Sequence, residues 1–417
     1  MTTELGAENS LESVCIPTSA FDWLCSLRGK WGKDERAFAY LAGHKTLCLD
    51  NYVGVLESPC GTRIEILPKI HSCGQSIEEG RKLLLRMLQS VFQLPSREAD
   101  NAHIETLNKP VTEWVMHQFL QALSHLLKQG MRSAYHCVDE ERTFLRGQIN
   151  MPRQMRQLPH RRHLTHVRHN IFSANRPENR LVRSTLQHVL SCTRDADNWR
   201  LAMIGDTWIR EIPYSQDYTQ DFKRWHNDRH MAHYAAIRPW CELILGGSVP
   251  VTMVGQWQGI SLLFPMDKLF EAFVAIKLNA TLPPGVRLRT QSAEQCLCRH
   301  ENRKIFTLRP DIILEQDGKI AALLDTKWKS LNMNHQDNYG LAQSDFYQLF
   351  AYGQKYMDGQ GDMGLIYPKT DFFTGALPCF NFSTELRLWV LAFDLFKEEL
   401  VWEETIHCNQ PIRKLLQ

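Results

Sequence analysis

Apolar residues recur with two different periods in the first half of the chain, which predicts a mixture of strands and helices. They stand at every second position in the strand segments and at every third or fourth position in the helical ones. Gly130 is expected to end the second helix, because glycine readily adopts the left-handed backbone of a helix C-cap. The predicted strands are 47–57, 63–70 and 141–149, and the predicted helices are 77–92, 112–128, 176–194 and 228–245.

The last third of the chain predicts a β-hairpin flanked by two helices. Segments rich in Ile, Leu and Ala surround Asp317-Gly318, a dipeptide that favours a tight turn between strands. Asp267 and Ser344 stand where the N-caps of the flanking helices are expected. The hairpin strands are predicted at 306–314 and 319–328, the helices at 268–279 and 344–357, and further strands at 363–368 and 386–394.

Charged residues occupy positions in this hairpin where a buried strand should be apolar. Asp325 and Lys327 point to one face, because strand side chains alternate. A two-residue loop would turn Asp311 away from them, whereas a three-residue loop at Gln316-Asp317-Gly318 makes Asp311 a same-face neighbour of Asp325. We expect the three-residue loop, and a bulge at Pro310 is the alternative route to the same face.

Two carboxylates and an ammonium group on one sheet face are costly unless something binds there. Mg²⁺ takes oxygen ligands, keeps several waters and accepts phosphate oxygens as its other ligands. Such a metal lowers the pKa of a bound water, while a lysine can orient the nucleophile. An exposed hairpin with a simple salt bridge is the alternative. Ile312-Ile313 and Leu323-Leu324 favour a buried site, since both pairs predict burial on both faces.

The hairpin resembles the motif of PD-(D/E)xK nucleases, with Pro310-Asp311 as its first element and Asp325-Thr326-Lys327 as its second. Gln348 and Tyr352, four residues apart on the following helix, match the Q-x-x-x-Y element of the RecB-like branch. Core packing is the alternative role for Tyr352. Glu271, on the preceding helix, lies where the family often places a further acid near the metal, and a plain surface carboxylate is the alternative for it. The resemblance implies catalytic roles for Asp311, Asp325 and Lys327, with Gln348 auxiliary. It implies Mg²⁺, or Mn²⁺, held by Asp311 and Asp325, with Glu271 and the backbone carbonyl of Thr326 as further ligands.

Net charge, cysteine content and the absence of certain motifs limit the classes of function that this chain can have, but they do not identify one. The 417 residues carry a formal charge of only +2, so any affinity for nucleic acid must come from local patches. No G-x-x-x-x-G-K-[ST] motif occurs, which predicts that this chain alone binds no nucleotide through a P-loop. Twelve scattered cysteines without a CxxC pair, and no signal peptide, predict a cytoplasmic protein. No apolar run is long enough to span a membrane.

A basic segment at 151–170 contains no acidic residue. Its five arginines are interleaved with histidines at every third position, a spacing that suits neither face of a helix. We expect a solvated connecting segment rather than a metal site, and its function would be contact with a phosphate backbone or an acidic partner. The histidines are His160, His163, His166 and His169.

The order of motifs along 51–367 resembles the McrC family, the nuclease subunit of McrBC-type restriction systems. The motifs are NYVGVL, IEILPKI, ERTFLRGQIN, ANRPENRLVR and DKLFEAFV, ahead of the hairpin. The resemblance implies an α/β (α+β) multidomain protein. Its N-terminal mixed β/α region, 1–247, would bind an AAA+ NTPase partner and include the basic segment and a helical connection at 176–245. A PD-(D/E)xK restriction-endonuclease-like domain, 248–417, would follow the boundary at Gly246-Gly247.

The same resemblance implies what the protein does. Its partner would be a McrB-like AAA+ GTPase hexameric ring that recognises modified DNA, and it would stimulate that GTPase and cut double-stranded DNA in phage defence. Two alternatives remain: a non-catalytic activator of an AAA+ NTPase, and a stand-alone RecB-like DNA repair nuclease. The intact acid and lysine set argues against the first, and the large region outside the nuclease argues against the second.

Overall fold

The computed structural model describes residues 14–27, 39–43, 45–49, 51–69, 76–92, 110–225, 229–245, 262–301, 303–332, 335–402 and 411–416. It is a mixed α/β structure with several separate sheets, which confirms the predicted fold class. The predicted boundary at Gly246-Gly247 lies outside the described residues. Among those residues, no helix is long and apolar enough to cross a membrane.

The helices follow the predicted positions closely, with ends that shift by a few residues. The 228–245 segment is the main exception, because a 3₁₀ turn at Arg229–Tyr234 precedes a shorter helix. The helices are α1 (Thr18–Leu27), α2 (Ile77–Val91), α3 (Val111–Gln129), α4 (Met151–Met155), α5 (Pro177–Cys192), α6 (Ala196–Ile209), α7 (Tyr218–Arg224), α8 (Arg238–Leu245), α9 (Met266–Thr281), α10 (Gln343–Tyr356) and α11 (Pro411–Leu416).

The strands form five sheets within the described residues. They are β1 (Ala39–Gly43), β2 (Thr46–Leu49), β3 (Tyr52–Glu57), β4 (Arg63–Ile66), β5 (Ala134–Arg142), β6 (Gln148–Ile149), β7 (Thr165–Ser173), β8 (Leu262–Pro265), β9 (Val286–Thr290), β10 (Cys296–His300), β11 (Arg303–Thr307), β12 (Ile312–Gln316), β13 (Lys319–Thr326), β14 (Gly361–Pro368), β15 (Phe380–Asn381), β16 (Leu386–Asp394) and β17 (Glu399–Val401).

The chain folds into two compact units, and one of them is built from both ends of the sequence. Residues 1–111 and 261–417 form the first unit, and residues 112–260 form the second. The first unit is closed by β3, which pairs with β4 on one edge and with β8 on the other. The units in the structure therefore differ from the linear segments 1–247 and 248–417, because strands from opposite ends of the chain share a sheet.

A seven-stranded mixed sheet forms the centre of the first unit, in the order β15-β16-β14-β13-β12-β9, with β17 on β16. β13, β14 and β16 run parallel, whereas β12 is antiparallel to both its neighbours. One face packs on α10 through a core that includes Leu323, Leu349 and Leu365. The other face meets α9, where Phe270 and Phe273 contact Phe393 edge to face. Covering both faces buries the parallel strands, as their apolar sequences require.

The central hairpin has a different loop from the one we predicted. Gln316 pairs with Lys319, so the loop has two residues, and both Asp317 and Gly318 have positive φ as a type I′ turn requires. An irregularity then falls between Leu314 and Glu315, where Ala321 is the extra residue of β13. Because a bulge shifts the register by one residue, it restores the side-chain parity that the three-residue loop was expected to provide. The bulge lies in the middle of the hairpin and not at Pro310.

The predicted helix caps are also wrong. Pro265 precedes α9 and Ala342 precedes α10, and neither contributes a side-chain cap. Asp267 and Ser344 lie inside the first turns of these helices. The N-cap preference of Asp and Ser was the only basis for the predicted caps. In the structure, strand β8 ends at Pro265 and α9 begins at the next residue, so the strand fixes the start of that helix.

The second unit combines helices with a three-stranded sheet in the order β5-β7-β6. The basic segment 151–170 was expected to be a solvated connection, but its end belongs to β7. Val167 is fully buried there and His169 is 6% exposed, so alternate residues of β7 face a core. Pairing with β5 orders this strand, and Asp139 on β5 binds Arg168.

Candidate functional site

The three charged residues of the hairpin come together at the carboxyl end of β13. Asp325 and Lys327 lie on the face covered by α10. Asp311 directly precedes Ile312, which pairs with Leu324, and continuing this register places Asp311 opposite Asp325. In open α/β sheets ligands bind beyond the carboxyl ends of parallel strands, and β14 ends at this same edge.

Asp311 is held by the strand that carries Asp325. Its Oδ2 accepts hydrogen bonds from the amide of Thr326 at 2.9 Å and from the Thr326 hydroxyl at 3.0 Å. Its backbone carbonyl accepts a third bond from the amide of Gln291, the first residue after β9. These bonds fix the Asp311 carboxylate although the residue itself lies outside the ladder.

Asp325 is buried with one carboxylate oxygen unsatisfied. The residue is 1% exposed, and its Oδ2 accepts a hydrogen bond from Lys327 Nζ. Its Oδ1 has no hydrogen-bond partner among the residues that the structure describes. A buried polar atom left unpaired costs about 1–3 kcal/mol, and more when it is charged. The free oxygen is therefore a place where a ligand would be stabilising.

The electrostatics of these three residues are coupled. Burial and the nearby Asp311 charge raise the pKa of Asp325 to about 7, against the opposing effect of Lys327. Burial and Glu271 likewise raise the pKa of Asp311. Burial acts to lower the pKa of Lys327, but the carboxylates around it outweigh that effect and raise it. The site thus holds an excess of negative charge in a poorly solvated place, which favours a cation.

Glu271 reaches this edge from the opposite face of the sheet. It lies on α9, is 6% exposed, and binds Lys268 Nζ at 2.8 Å and Gln291 Nε2 at 2.9 Å. Gln291 links Glu271 to Asp311, because its side chain donates to Glu271 and its backbone amide donates to the Asp311 carbonyl. Besides burial, the charge of Glu271 raises the pKa of Asp311. Both Glu271 oxygens already have partners, so Glu271 would have to exchange them to bind a metal.

A row of side chains on α10 connects the lysine to the rest of the site. Gln348 Oε1 lies 3.4 Å from Lys327 Nζ, and Gln348 Nε2 donates to the Tyr352 hydroxyl at 2.6 Å. The Tyr352 hydroxyl in turn donates to the carbonyl of Arg309, two residues before Asp311, at 3.0 Å. Gln348 and Tyr352 therefore link both halves of the hairpin. Tyr352 is also buried, so its expected alternative role in the core is real as well.

The side chains present fit a magnesium or manganese ion. Asp325 Oδ1 supplies a buried, unpaired carboxylate oxygen beside a second carboxylate, and hard cations prefer oxygen ligands. Within the described ranges, no group of three or more His, Cys, Asp or Glu residues is arranged as a metal site. The protein would therefore supply two carboxylates, and waters or phosphate oxygens would complete the shell, as Mg²⁺ allows.

Sequence reasoning missed a second acid and lysine pair next to the first. Asp345 lies in the first turn of α10, is 6% exposed, and its Oδ2 accepts bonds from Tyr367 at 3.4 Å and from Lys329 Nζ at 3.5 Å. Asp345 contributes to the raised pKa values of both Asp325 and Lys327. Lys329 continues the alternation of Asp325 and Lys327, and this was the one signal in the sequence that could have found it.

The fold and the site together define a class: a multidomain α/β protein with a buried acid and lysine centre at the carboxyl edge of its main sheet. The family model described as McrBC 5-methylcytosine restriction system component matches residues 47–368. The chain belongs to this McrBC family, which confirms the family resemblance drawn from its motifs.

A solved structure shows a similar fold. The chain is similar to one in the refined half-complex from the tetradecameric assembly of Thermococcus gammatolerans McrB AAA+ hexamers with bound McrC. The identity is 18%, the match covers 93% of this chain and 91% of that one, and the TM-score is 0.66. A second match, in the cryo-EM structure of the Thermococcus gammatolerans McrBC complex, has 22% identity, coverage of 62% and 78%, and a TM-score of 0.46. No curated protein matches the chain.

Proposed function

We propose that this chain is a Mg²⁺-dependent DNA endonuclease subunit of a McrBC-like restriction system. The observation that carries the proposal is the unpaired Oδ1 of buried Asp325, beside Asp311 and Lys327, in a chain of this family. The large majority of buried polar atoms in proteins have a hydrogen-bond partner, so a buried carboxylate oxygen without one favours a bound ligand.

Each residue has a distinct part in phosphodiester cleavage. Asp311, held by Thr326, and Asp325 would be the two fixed oxygen ligands, with the backbone carbonyl of Thr326 and Glu271 as further candidates. The ion, when bound, polarises a phosphate oxygen and makes a bound water more acidic. Lys327 would orient the attacking water and balance charge on the phosphate, and Gln348 would hold the Lys327 ammonium in place.

We further propose that the chain works with an AAA+ GTPase hexameric ring, which would recognise modified double-stranded DNA. A solved structure of similar fold carries McrC bound to McrB AAA+ hexamers, and this chain matches 93% of its length to a chain there. The GTPase would be stimulated by this subunit, and the cut would be made at the Asp325 site.

Cleavage of methylated plasmid DNA by the full chain, together with a McrB-like AAA+ GTPase from the same organism, tests this function. Asp325→Asn keeps the size of the side chain but removes the anionic ligand, so we expect cleavage to fall by about a hundredfold or more. Lys327→Ala should act in the same direction. Gel analysis of plasmid nicking and linearisation in Mg²⁺ measures both effects.

Matched controls exist in the same hairpin. Asp317→Asn changes the same residue type in the exposed turn, where a positive φ suits asparagine. Lys319→Ala removes an exposed lysine from the far end of β13. Both should cut at the wild-type rate. The proposal is wrong if Asp325→Asn, shown to be folded, also cuts at that rate.

A further inference from the structure

The hairpin formed by β10 and β11 leaves the sheet at the edge that carries the candidate site. It is inserted between Thr290, the last residue of β9, and Asp311. At about 3.3 Å per residue, its five-residue strands form a ribbon roughly 16 Å long. Nine of these ten residues are not buried, and only Cys296 at its base is. The two faces of the ribbon are therefore exposed next to Asp311.

Positive charges face each other across this ribbon. Arg299 pairs with Lys304, and His300 pairs with Arg303. Within the described part of the chain, no carboxylate forms an ion pair with Arg299 or Arg303, and the one acid of the ribbon, Glu301, lies in its turn. Like charges directly opposite each other destabilise a strand pair. A polyanion lying along the ribbon would remove that cost.

Two exposed apolar side chains lie on the same face as Arg299 and Lys304. Leu297 is 44% exposed and Phe306 is 70% exposed, and the register places them opposite each other. Phe306 also has a φ of 57°, a left-handed conformation that is strained for a bulky residue. Such strain is typically retained at functional positions. Aromatic and cationic side chains on one face are the combination that binds nucleic acid by stacking and phosphate contact.

The base of the ribbon is tied to the site by the same helix that contacts Lys327. The Tyr356 hydroxyl lies one helical turn beyond Tyr352 and donates to the carbonyl of Leu308 at 2.9 Å. It also accepts a bond from the amide of Gln295 at 3.3 Å. Both ends of the ribbon are therefore held by α10, which also carries Gln348. This arrangement fixes the distance between the ribbon and the ammonium of Lys327.

We propose that the β10–β11 ribbon is a DNA-binding arm that holds the duplex beside the candidate nuclease centre. This inference rests on the proposed nuclease function. A two-stranded ribbon fits the major groove of B-form DNA. Arg299, and Arg303 on the other face of the ribbon, contact phosphates. Phe306 with Leu297 packs against the sugars or bases in the groove. The arm sets where along the duplex the phosphate is presented to Asp311 and Asp325.

Binding of the full chain to a short fluorescent DNA duplex, measured by anisotropy in EDTA, tests the arm without cleavage. We expect Arg299→Ala combined with Arg303→Ala to raise Kd on the order of tenfold. The slope of log Kd against log salt, between about 50 and 200 mM NaCl, should fall by about 2, since each lost phosphate contact removes about 0.9. Phe306→Asn should weaken binding and leave this slope unchanged.

The matched control removes two exposed cations from the seven-stranded sheet, at its end away from the ribbon. Arg287→Ala combined with Lys319→Ala makes the same change in charge, and both residues lie where β9, β12 and β13 meet far from the ribbon. This control should bind DNA as the wild type does. A thermal melt of each variant confirms that it is folded.

The remaining outcomes separate the arm from the nuclease. If the Arg299 and Arg303 double variant binds DNA as tightly as its control, the proposal of a DNA-binding arm is wrong. It is also wrong if the variant keeps its DNA affinity but no longer associates with the AAA+ partner, because the ribbon would then be a protein interface. If Asp325→Asn still cuts DNA in Mg²⁺ while the ribbon variant loses affinity, the arm stands and the proposed nuclease centre fails.

Discussion

Asp325 carries the energetic cost of the candidate site. Its carboxylate is almost fully buried, one oxygen lacks a partner, and its neighbours include Asp311 and Asp345. Lys327 offsets this excess of negative charge only in part, because the pKa of Asp325 remains raised to about 7. A bound divalent cation would stabilise the charged carboxylate and with it the fold.

This cost predicts a pH-dependent response to Mg²⁺. The folded state keeps a proton on Asp325 up to about pH 7, whereas the unfolded chain releases it near its ordinary pKa of about 4. Without metal, stability should therefore fall as the pH rises through that window. A protonated carboxylate cannot bind the ion, so the rise in Tm on adding Mg²⁺ should grow as the pH increases through about 7. Differential scanning fluorimetry with Mg²⁺ or EDTA, from pH 5.5 to pH 8.5, measures it.

Asp325→Asn is the variant that makes this test specific. It should show no Mg²⁺ shift at any pH and a weaker loss of stability with pH in EDTA, while Asp317→Asn in the exposed turn should behave as the wild type. An equal Mg²⁺ shift in Asp325→Asn and wild type would mean that the ion binds elsewhere.

The sequence could identify the central charged residues but not their whole environment. Asp311, Asp325 and Lys327 stand out because charges interrupt apolar strands. Asp345 gives no such signal, since an acid in a first helical turn is an ordinary surface feature. Lys329 is marked only by its alternation with Asp325 and Lys327. Only the packing of α10 on the sheet places them beside Asp325.

At the scale of the element, the central hairpin shows how the predicted side-chain faces can be right while the loop is wrong. The Asp317-Gly318 turn follows from local sequence. The bulge at Ala321 does not, because nothing in an Ile-Ala-Ala-Leu run marks which residue leaves the ladder. The two-residue loop alone would turn Asp311 away from Asp325, and the bulge at Ala321 reverses that change. The predicted faces are therefore right although both the loop length and the bulge position differ from the prediction.

The contact between β3 and β8 is the element-scale feature most open to a stability test. Gly54 has a φ of +128°, and a Cβ there would lie 1.9 Å from the carbonyl oxygen of Leu262. Gly54→Ala must therefore separate the two strands, and we expect it to cost about 1–3 kcal/mol beyond its backbone strain. The loss of Tm, measured by circular dichroism, should be several degrees.

Gly285 is the matched control for that substitution. Its φ of +94° imposes similar backbone strain on alanine, but nothing lies within 4 Å of the added Cβ. Gly285→Ala should cost only that strain, of the order of 1–3 kcal/mol. If the two variants lose the same free energy of unfolding, the close approach of β3 to β8 contributes nothing to the effect of Gly54→Ala.

At the scale of the whole molecule, the division of the chain could not be predicted from its sequence. Val55 pairs with Leu262, and no local pattern reports a contact across so much intervening chain. The sequence instead indicated a boundary at Gly246-Gly247, where glycine interrupts a helical pattern. A fragment ending at 247 would lack β8, α9 and the main sheet, so it would leave β3 without its partner strand.

The proposed separation of DNA cleavage from GTPase stimulation is therefore best tested in the full chain. Asp325→Asn changes one buried atom in the first unit, so we expect it to stimulate the AAA+ partner's GTP turnover to within about twofold of wild type. Its DNA cleavage should fall by about a hundredfold or more. A phosphate-release assay with and without this variant measures stimulation. Loss of stimulation by a folded variant that still binds the partner would show that one centre serves both activities.

The pairing of β3 with β8 also has a consequence for synthesis. Roughly 200 residues separate these strands, and a ribosome adding about 5–20 residues per second needs about 10–40 s to cover that distance. During this interval residues 112–260 can fold as a continuous unit, whereas β3 exposes an open edge and the apolar side chains of Val53 and Val55. Open strand edges invite pairing with other chains. Shielding by a chaperone would therefore protect the N-terminal strands of the nascent polypeptide.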